Sequence, residues 1–351
     1  MDVHAQTTPE RERFYEAIGR DNMTALWTVF STLITKEPKS ACQPASWRYD
    51  HVRQALMTAG ELITAKEAER RVLILENPGL KGSSQITTSL YAGLQLVLPG
   101  EVAPAHRHAQ SALRFVLEGS GAHTAVNGEK TPMQPGDFII TPQWAWHDHG
   151  NDTKQPMIWL DGLDIPMLKF YDASFAEGFG EDQQPIDRQT GDSLARYGAN
   201  LLPVDHKRRG INSPVFNYPY ERSRAALETM RAQNEWDACH GLKMKYVNPE
   251  TGDYAMPTIG SFIQLLPKGF STSRYRATDA TIFVCVEGRG SSEIGGETIE
   301  WGPRDIFVAP SWHWVRHKPE EGPEGEAVLF SFSDRPVQEK LGFFRQDRAN
   351  A

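Results

Sequence analysis

The chain has 351 residues, 39% of them hydrophobic and 23% charged, which at roughly 150 residues per domain predicts one or two globular domains with a sizeable core. Lys and Arg total 37 against 45 Asp and Glu, a net charge of −8 that argues against general binding to nucleic acid or an anionic membrane. Three scattered cysteines (Cys42, Cys239, Cys285) cannot build a disulfide framework and fit a reducing, cytoplasmic setting.

In chain order, the N-terminus MDVHAQTTPERERF is polar and carries no signal-peptide core, and no apolar run approaches the ~20 residues of a membrane span. Residues 9–37 read as helical, with Ala25, Leu26, Val29, Phe30, Leu33 and Ile34 on one face. A second helical stretch, HVRQALMTAGELITAKEAERR, runs to 71. From 72 the texture changes to short apolar runs between Gly and Pro turns (RVLILENPGL, ALRFVLEGSG, DFIITP, PMIWLDGLD), the pattern of an all-β barrel or sandwich. Residues 170–255 are mixed, with a helical stretch late in FNYPYERSRAALETMRAQNEW, and the β texture returns from 256. The predicted organisation is a helical extension (1–71), a first barrel (72–170), a mixed linker with a helix (171–255), a second barrel (256–335) and a tail (336–351).

The two β regions resemble copies of one unit. LPGEVAPAHRH (98–108) aligns without a gap on LPKGFSTSRYR (266–276). EGSGAHTAVNGEKTPMQPGDFIITPQWAW (118–146) aligns on EGRGSSEIGGETIEWGPRDIFVAPSWHW (287–314) with single-residue insertions and deletions.

The first copy carries the chemistry. His106 and His108, two apart on a strand, share one face. His147 follows in Pro142-x-Trp144-x2-His147-x3-Asn151, and a barrel can return it beside the pair. Three neutral imidazoles with open positions suit a catalytic transition metal. A lone histidine is usually structural; a framed HxH with a third histidine favours ligation.

These segments resemble the two cupin motifs, G(x)5HxH(x)3,4E(x)6G and G(x)5PxG(x)2H(x)3N. The motif's Glu would fall at Ala112 or Leu113, so the fourth ligand is absent, and Trp144 replaces the PxG glycine. In the ungapped alignment the second copy holds Arg274, Arg276 and Val315 at the ligand positions, and none can bind a metal. His313 and His317 fall off register.

A mainly β bicupin with one three-histidine site, HRH-x3-ALRF and WHDHGN is similar to the gentisate 1,2-dioxygenase family, whose relatives act on salicylate and 1-hydroxy-2-naphthoate. The resemblance implies one Fe(II) per chain on His106, His108 and His147, dioxygen, a small aromatic 2-hydroxy acid and a homotetramer. It implies ring cleavage between the carbon bearing the carboxylate and its hydroxylated neighbour. A three-histidine site keeps the metal's formal 2+ charge, which favours an anionic chelating substrate. Arg114, on the parity of His106 and His108, matches the family's carboxylate-binding arginine, and Arg70 the second clamp. His149 is expected to hydrogen-bond a reacting oxygen, and Asp161 the far ring hydroxyl. Tyr91, Gly93 and Gln110 are expected to line the substrate pocket, with Trp146 either lining or core. Each has an ordinary alternative: a surface or helix-end Arg, a loop His, a turn Asp before Gly162, a bend at Gly93. Two other functions stay open: a different metal cupin such as an oxalate decarboxylase, and a non-catalytic ligand-binding cupin.

Overall fold

A computed structural model describes residues 7–208, 210–322 and 325–349. Contacts divide the chain at Lys39 and Ser40 into two compact units. The smaller holds helices Pro9–Arg20 and Leu26–Leu33. Thr8 caps the first, accepting from the Arg11 amide, with Pro9 in the first turn. Asn22, at φ 58, sits in the turn that splits the predicted single stretch in two.

In the larger unit the two copies run further than the sequence repeat suggests. Strand Ala45–Trp47 and helix Tyr49–Leu62 precede the first set of strands; strand Asn217–Tyr218 and helix Tyr220–Arg231 precede the second. The mixed linker is thus partly the opening of the second copy. The expected C-terminal tail closes it, because helix Arg335–Lys340 repeats Ile165–Phe170 and strand Gln346–Arg348 pairs with Tyr275–Ala277 as Ala176–Gly178 pairs with Val102–His108.

Each copy is a six-stranded sheet facing a five-stranded one, all pairs antiparallel. In the first copy the six-stranded sheet runs 217–218, 138–141, 112–118, 157–163, 91–97, 72–74. Its edge strand, Asn217–Tyr218, belongs by sequence to the second copy, and Ala45–Trp47 returns the exchange by pairing with Ile306–Ala309. Matching contacts lock it. The Tyr49 amide donates to Asp305 at 2.8 Å and the Tyr220 amide to Asp137 at 2.9 Å. Tyr49 and Arg53 hold Glu118; Tyr220 and Arg224 hold Glu287.

Alternation along the strands sorts the core. Leu113, Phe115 and Leu117 face the other copy, where Phe115 stacks on Phe330 with centroids 4.1 Å apart. The intervening Val116, with Val97, Met157 and Trp159, fills the first copy's interior. Arg114 shares their parity, so its side chain is buried inside the first copy.

Candidate metal centre

Strand Val102–His108 lies antiparallel to strand His147–Gly150, and His106 sits directly opposite His147. Between Ala103 and His106 the register slips by one residue at Pro104, a bulge that proline tolerates because it donates no ladder bond. The ligand atoms of His106, His108 and His147 lie within 4.8 Å of one another, the one such histidine, cysteine or carboxylate group among the described residues.

Backbone carbonyls set two of the three tautomers. His108 Nδ1 lies 2.9 Å from the Gln110 carbonyl and His147 Nδ1 3.0 Å from that of Ala145, so a proton on each Nδ1 leaves its Nε2 as a lone-pair donor. His106 Nδ1 lies 3.2 Å from the Pro104 carbonyl and also meets the Arg70 guanidinium, which can only donate. His147 Nε2 is buried without a hydrogen-bond partner. Burial, then the nearby guanidinium of Arg70 or Arg114, pushes His106 down to about 3 and His108 to about 4. His147 and His149 fall well below the ordinary imidazole value, first through burial. Three neutral imidazoles with a converging, orphaned nitrogen fit a divalent transition metal with open positions.

The other expected residues gather around this cluster. Arg114, Asp161 and Gly93 form one row across adjacent strands. Arg114 Nη1 donates to Thr141 Oγ1 at 2.5 Å, and Nη2 to His149 Nε2 at 3.0 Å. Its Nε lies 3.6 Å from Asp161 Oδ1, which also accepts from Trp159 Nε1 at 2.9 Å. Burial raises Asp161 to about 6 against the opposing pull of Arg114. Arg70 follows Glu69, a non-glycine residue at φ 52, and that turn aims its guanidinium at the Pro104 carbonyl (2.6 Å) and the His106 ring. Among the described residues no carboxylate forms an ion pair with Arg70, and burial and the repulsion of Arg114 lower it to about 10.

Three placements differ from expectation. His149 has both nitrogens engaged by the chain itself: Arg114 takes its Nε2, and Thr124 Oγ1 its Nδ1 at 2.9 Å. Gly93 does not leave free space, since a Cβ there would lie 2.5 Å from Val72 Cγ1 and 3.0 Å from the Tyr91 hydroxyl. The glycine instead lets Tyr91 and Val72 close over the strand. Gln110 turns its side chain to Ser174 Oγ (2.7 Å) and serves the cluster through its carbonyl. Tyr91, half-buried, has its hydroxyl pushed up by burial and by Asp161.

Thr124, Thr141 and Trp159 position the charged residues and were not singled out in the sequence. Only Trp159 left a signal there, two residues before Asp161 and therefore on its face. Trp144, in place of the motif's glycine, does adopt the left-handed conformation, φ 60. Arg107 lies 4.5 Å over its ring and 4.4 Å over that of Trp146, which offsets the strain. Trp146 is therefore half of an arginine sandwich.

That sandwich corrects the alignment of the second copy. Arg276 lies over Trp312 and Trp314 as Arg107 does over Trp144 and Trp146, and Tyr275 pairs with Val315 as His106 pairs with His147. The ligand positions hold Tyr275, Ala277 and Val315, not Arg274, Arg276 and Val315. The extra residue sits in the loop before Tyr275, where an ungapped alignment cannot see it. Ala277 and Val315 offer no ligand atom, so a three-ligand site is still absent from that copy.

The cupin domain model matches residues 93–163. Gentisate 1,2-dioxygenase 1 of Aquipseudomonas alcaligenes is 62% identical over 341 residues, 97% of each chain. The 1-hydroxy-2-naphthoate 1,2-dioxygenase of a Nocardioides species is 34% identical, covering 88% of this chain and 80% of its own. The salicylate 1,2-dioxygenase of Pseudoaminobacter salicylatoxidans, solved with gentisate, superposes with a TM-score of 0.92 at 34% identity, covering 100% of this chain and 97% of that one.

Proposed function

The chain belongs to the gentisate 1,2-dioxygenase family of cupin-fold ring-cleaving enzymes, and on that premise we propose that it converts gentisate and dioxygen to maleylpyruvate with one Fe(II) per chain. The observation that carries the choice of substrate class is the charge around the histidine cluster. Two buried or half-buried guanidiniums, Arg70 and Arg114, face it, and among the described residues the one carboxylate in an ion pair with either is Asp161. A bound divalent metal adds further positive charge. An anionic aromatic acid neutralises the excess; a neutral sugar or hydrocarbon does not.

His106, His108 and His147 would hold the iron, which when bound would offer open coordination positions and a path by which the aromatic substrate's own electrons reach dioxygen. The chain's own groups do the rest. Arg114 and Arg70 take the substrate carboxylate and fix the ring's orientation. As Arg114 turns to that carboxylate it releases His149 Nε2, an unprotonated nitrogen because Thr124 holds the other. His149 then accepts the proton of the neighbouring ring hydroxyl. Asp161, ionised by Arg114, accepts a hydrogen bond from the ring's far hydroxyl, which salicylate lacks. Tyr91 closes one side of the pocket.

A homotetramer fits the exposed apolar surface of helix Leu26–Leu33, where Trp27 is 69% and Leu33 67% exposed. A cytoplasmic setting fits three cysteines that are all buried and free. Among the described residues no helix is long and apolar enough to cross a membrane.

Oxygen uptake by Fe(II)-reconstituted protein, given gentisate, salicylate and 1-hydroxy-2-naphthoate in parallel with a metal-free control, tests the reading. Metal-dependent uptake of one O2 per gentisate is expected. Preference for either other acid would keep the ring-cleavage class and reassign the substrate. No uptake with any of them in iron-loaded protein would remove the enzyme reading.

A further inference from the structure

The second copy has lost the ligand triad but has not become an apolar core. Its interior holds a cavity of about 30 Å³ lined by, among others, Lys243, Gln264, Tyr275, Asp279, His317 and Arg335. At 10–15 Å³ per water-sized sphere that is room for about two or three non-hydrogen atoms or waters.

The charges in this cavity do not balance. Asp279 is taken: Arg335 Nε lies at 3.2 Å and Ser333 Oγ at 2.7 Å. Among the described residues, half-buried Lys243 makes no hydrogen bond or ion pair, and its ammonium lies 4.8 Å from the centre of the Phe262 ring and 5.9 Å from that of Phe283. Lys243 stands where the first copy has Val72, since each faces the corresponding glutamine, Gln264 or Gln95. Two aromatic faces do not replace the hydration of an ammonium group. Burial lowers Lys243 only to about 8, so it is mostly protonated at neutral pH.

Two uncharged groups of the lining add to the picture. Gln264 is 1% exposed, and its Oε1 has no hydrogen-bond partner while Nε2 donates to the His240 carbonyl. His317, 4% exposed, occupies the place of His149, with Ser292 in that of Thr124. Ser292 Oγ accepts from Trp301 Nε1 at 2.8 Å and lies 2.7 Å from His317 Nδ1. When Ser292 gives its own proton to Nδ1, the His317 proton sits on Nε2 and can be donated into the cavity. The lining therefore offers a cation without a bonded anion, an imidazole able to donate and a carbonyl acceptor.

We propose that the second copy binds a small monovalent oxyanion, of the size of formate, between Lys243 and His317. The cavity is too small for an aromatic acid, so the site is distinct from the substrate site and takes a different ligand class. The anion adds to the counter-charge of Asp279, which Lys243 shares with Arg335.

The test is thermal unfolding of the iron-loaded protein in sodium formate against sodium sulfate of equal ionic strength. The wild-type midpoint should rise by about 3 °C more in formate when formate is far above its dissociation constant. Lys243→Met removes the charge and should abolish the difference while leaving ring-cleaving turnover intact. If that variant does not fold, Lys243→Gln takes its place. Formate held at the iron would protect wild type and variant alike, so an equal shift in both overturns the proposal. So does a wild-type midpoint that formate and sulfate raise equally. A crystal grown in formate should show the anion within hydrogen-bond reach of Lys243 Nζ and His317 Nε2, and apolar or empty density there would also overturn it.

Discussion

At the residue scale, the three histidines differ from free imidazole chiefly in being dry. His147→Ala removes a buried ligand with no substitute nearby, so the protein should lose stoichiometric iron and turnover together, as metal analysis beside oxygen uptake would show. Arg114→Ala should keep the iron, because Arg114 holds Thr141, His149 and Asp161 rather than a ligand. Its kcat/KM should fall by about 30-fold to 1,000-fold, the ~2–4 kcal/mol of a truncated buried charge contact. An unchanged kcat/KM would take Arg114 out of the substrate site. The depressed imidazoles also set the pH response. His106 at about 3 and His108 at about 4 remain neutral in the folded chain far below the free value of 6.5. Protons therefore do not compete with metal above pH ~5, and iron occupancy measured after gel filtration should be flat from pH 8 to about 5.5. The unfolded chain takes up protons near 6.5, so these histidines favour folding above that value and withdraw the support as pH falls toward their folded values. A midpoint of metal loss near 6.5 would mean the ligands are wet.

At the element scale, strand Tyr91–Val97 is pinned by close approach. Gly93 pairs with Asp161 on one neighbouring strand and Ile74 on the other, and the Val72 side chain reaches over it. Gly93→Ala should cost about 1–3 kcal/mol in urea unfolding, the usual penalty for overpacking. Val72→Ala should recover part of it, since the Val72 methyl is the nearest obstacle, while the Leu73 carbonyl at 3.1 Å sustains the rest. No recovery in the double variant would place the strain in the backbone alone. The alternation of strand Ala112–Glu118 was legible in the sequence, as was the shared face of His106 and His108. The bulge at Pro104 and the one-residue offset before Tyr275 were not, because a bulge changes pairing without changing hydrophobic period.

At the scale of the whole molecule, the two copies are joined by exchange. Each contributes an opening strand to the other's six-stranded sheet, and the tyrosine after it donates its amide to an aspartate of that other copy. Asp137→Ala and Asp305→Ala remove equivalent contacts and should each cost about 1–3 kcal/mol. Both variants should unfold in one transition, since neither copy is complete alone. Two resolved transitions in either variant would mean that the copies fold independently. The Phe115 and Phe330 stack, at the centre of the shared apolar layer, ties the substrate-bearing copy's stability to that of its partner copy.

The sequence by itself determined the mainly β duplicated architecture, the histidine triad, the missing fourth ligand and the loss of the triad from the second copy. Those are carried by local period, residue chemistry and an internal repeat, all of which survive projection onto one dimension. Only the tertiary structure decided that residues 45–47 and 217–218 change places, and that the closing strand of each copy lies beside its ligand strand. It also decided that His149 spends both nitrogens on Thr124 and Arg114, and that Val72 rather than empty space faces Gly93. The reason is the same in each case: these are pairings between residues tens to hundreds of positions apart, fixed by strand register and burial, and no spacing along the chain encodes them.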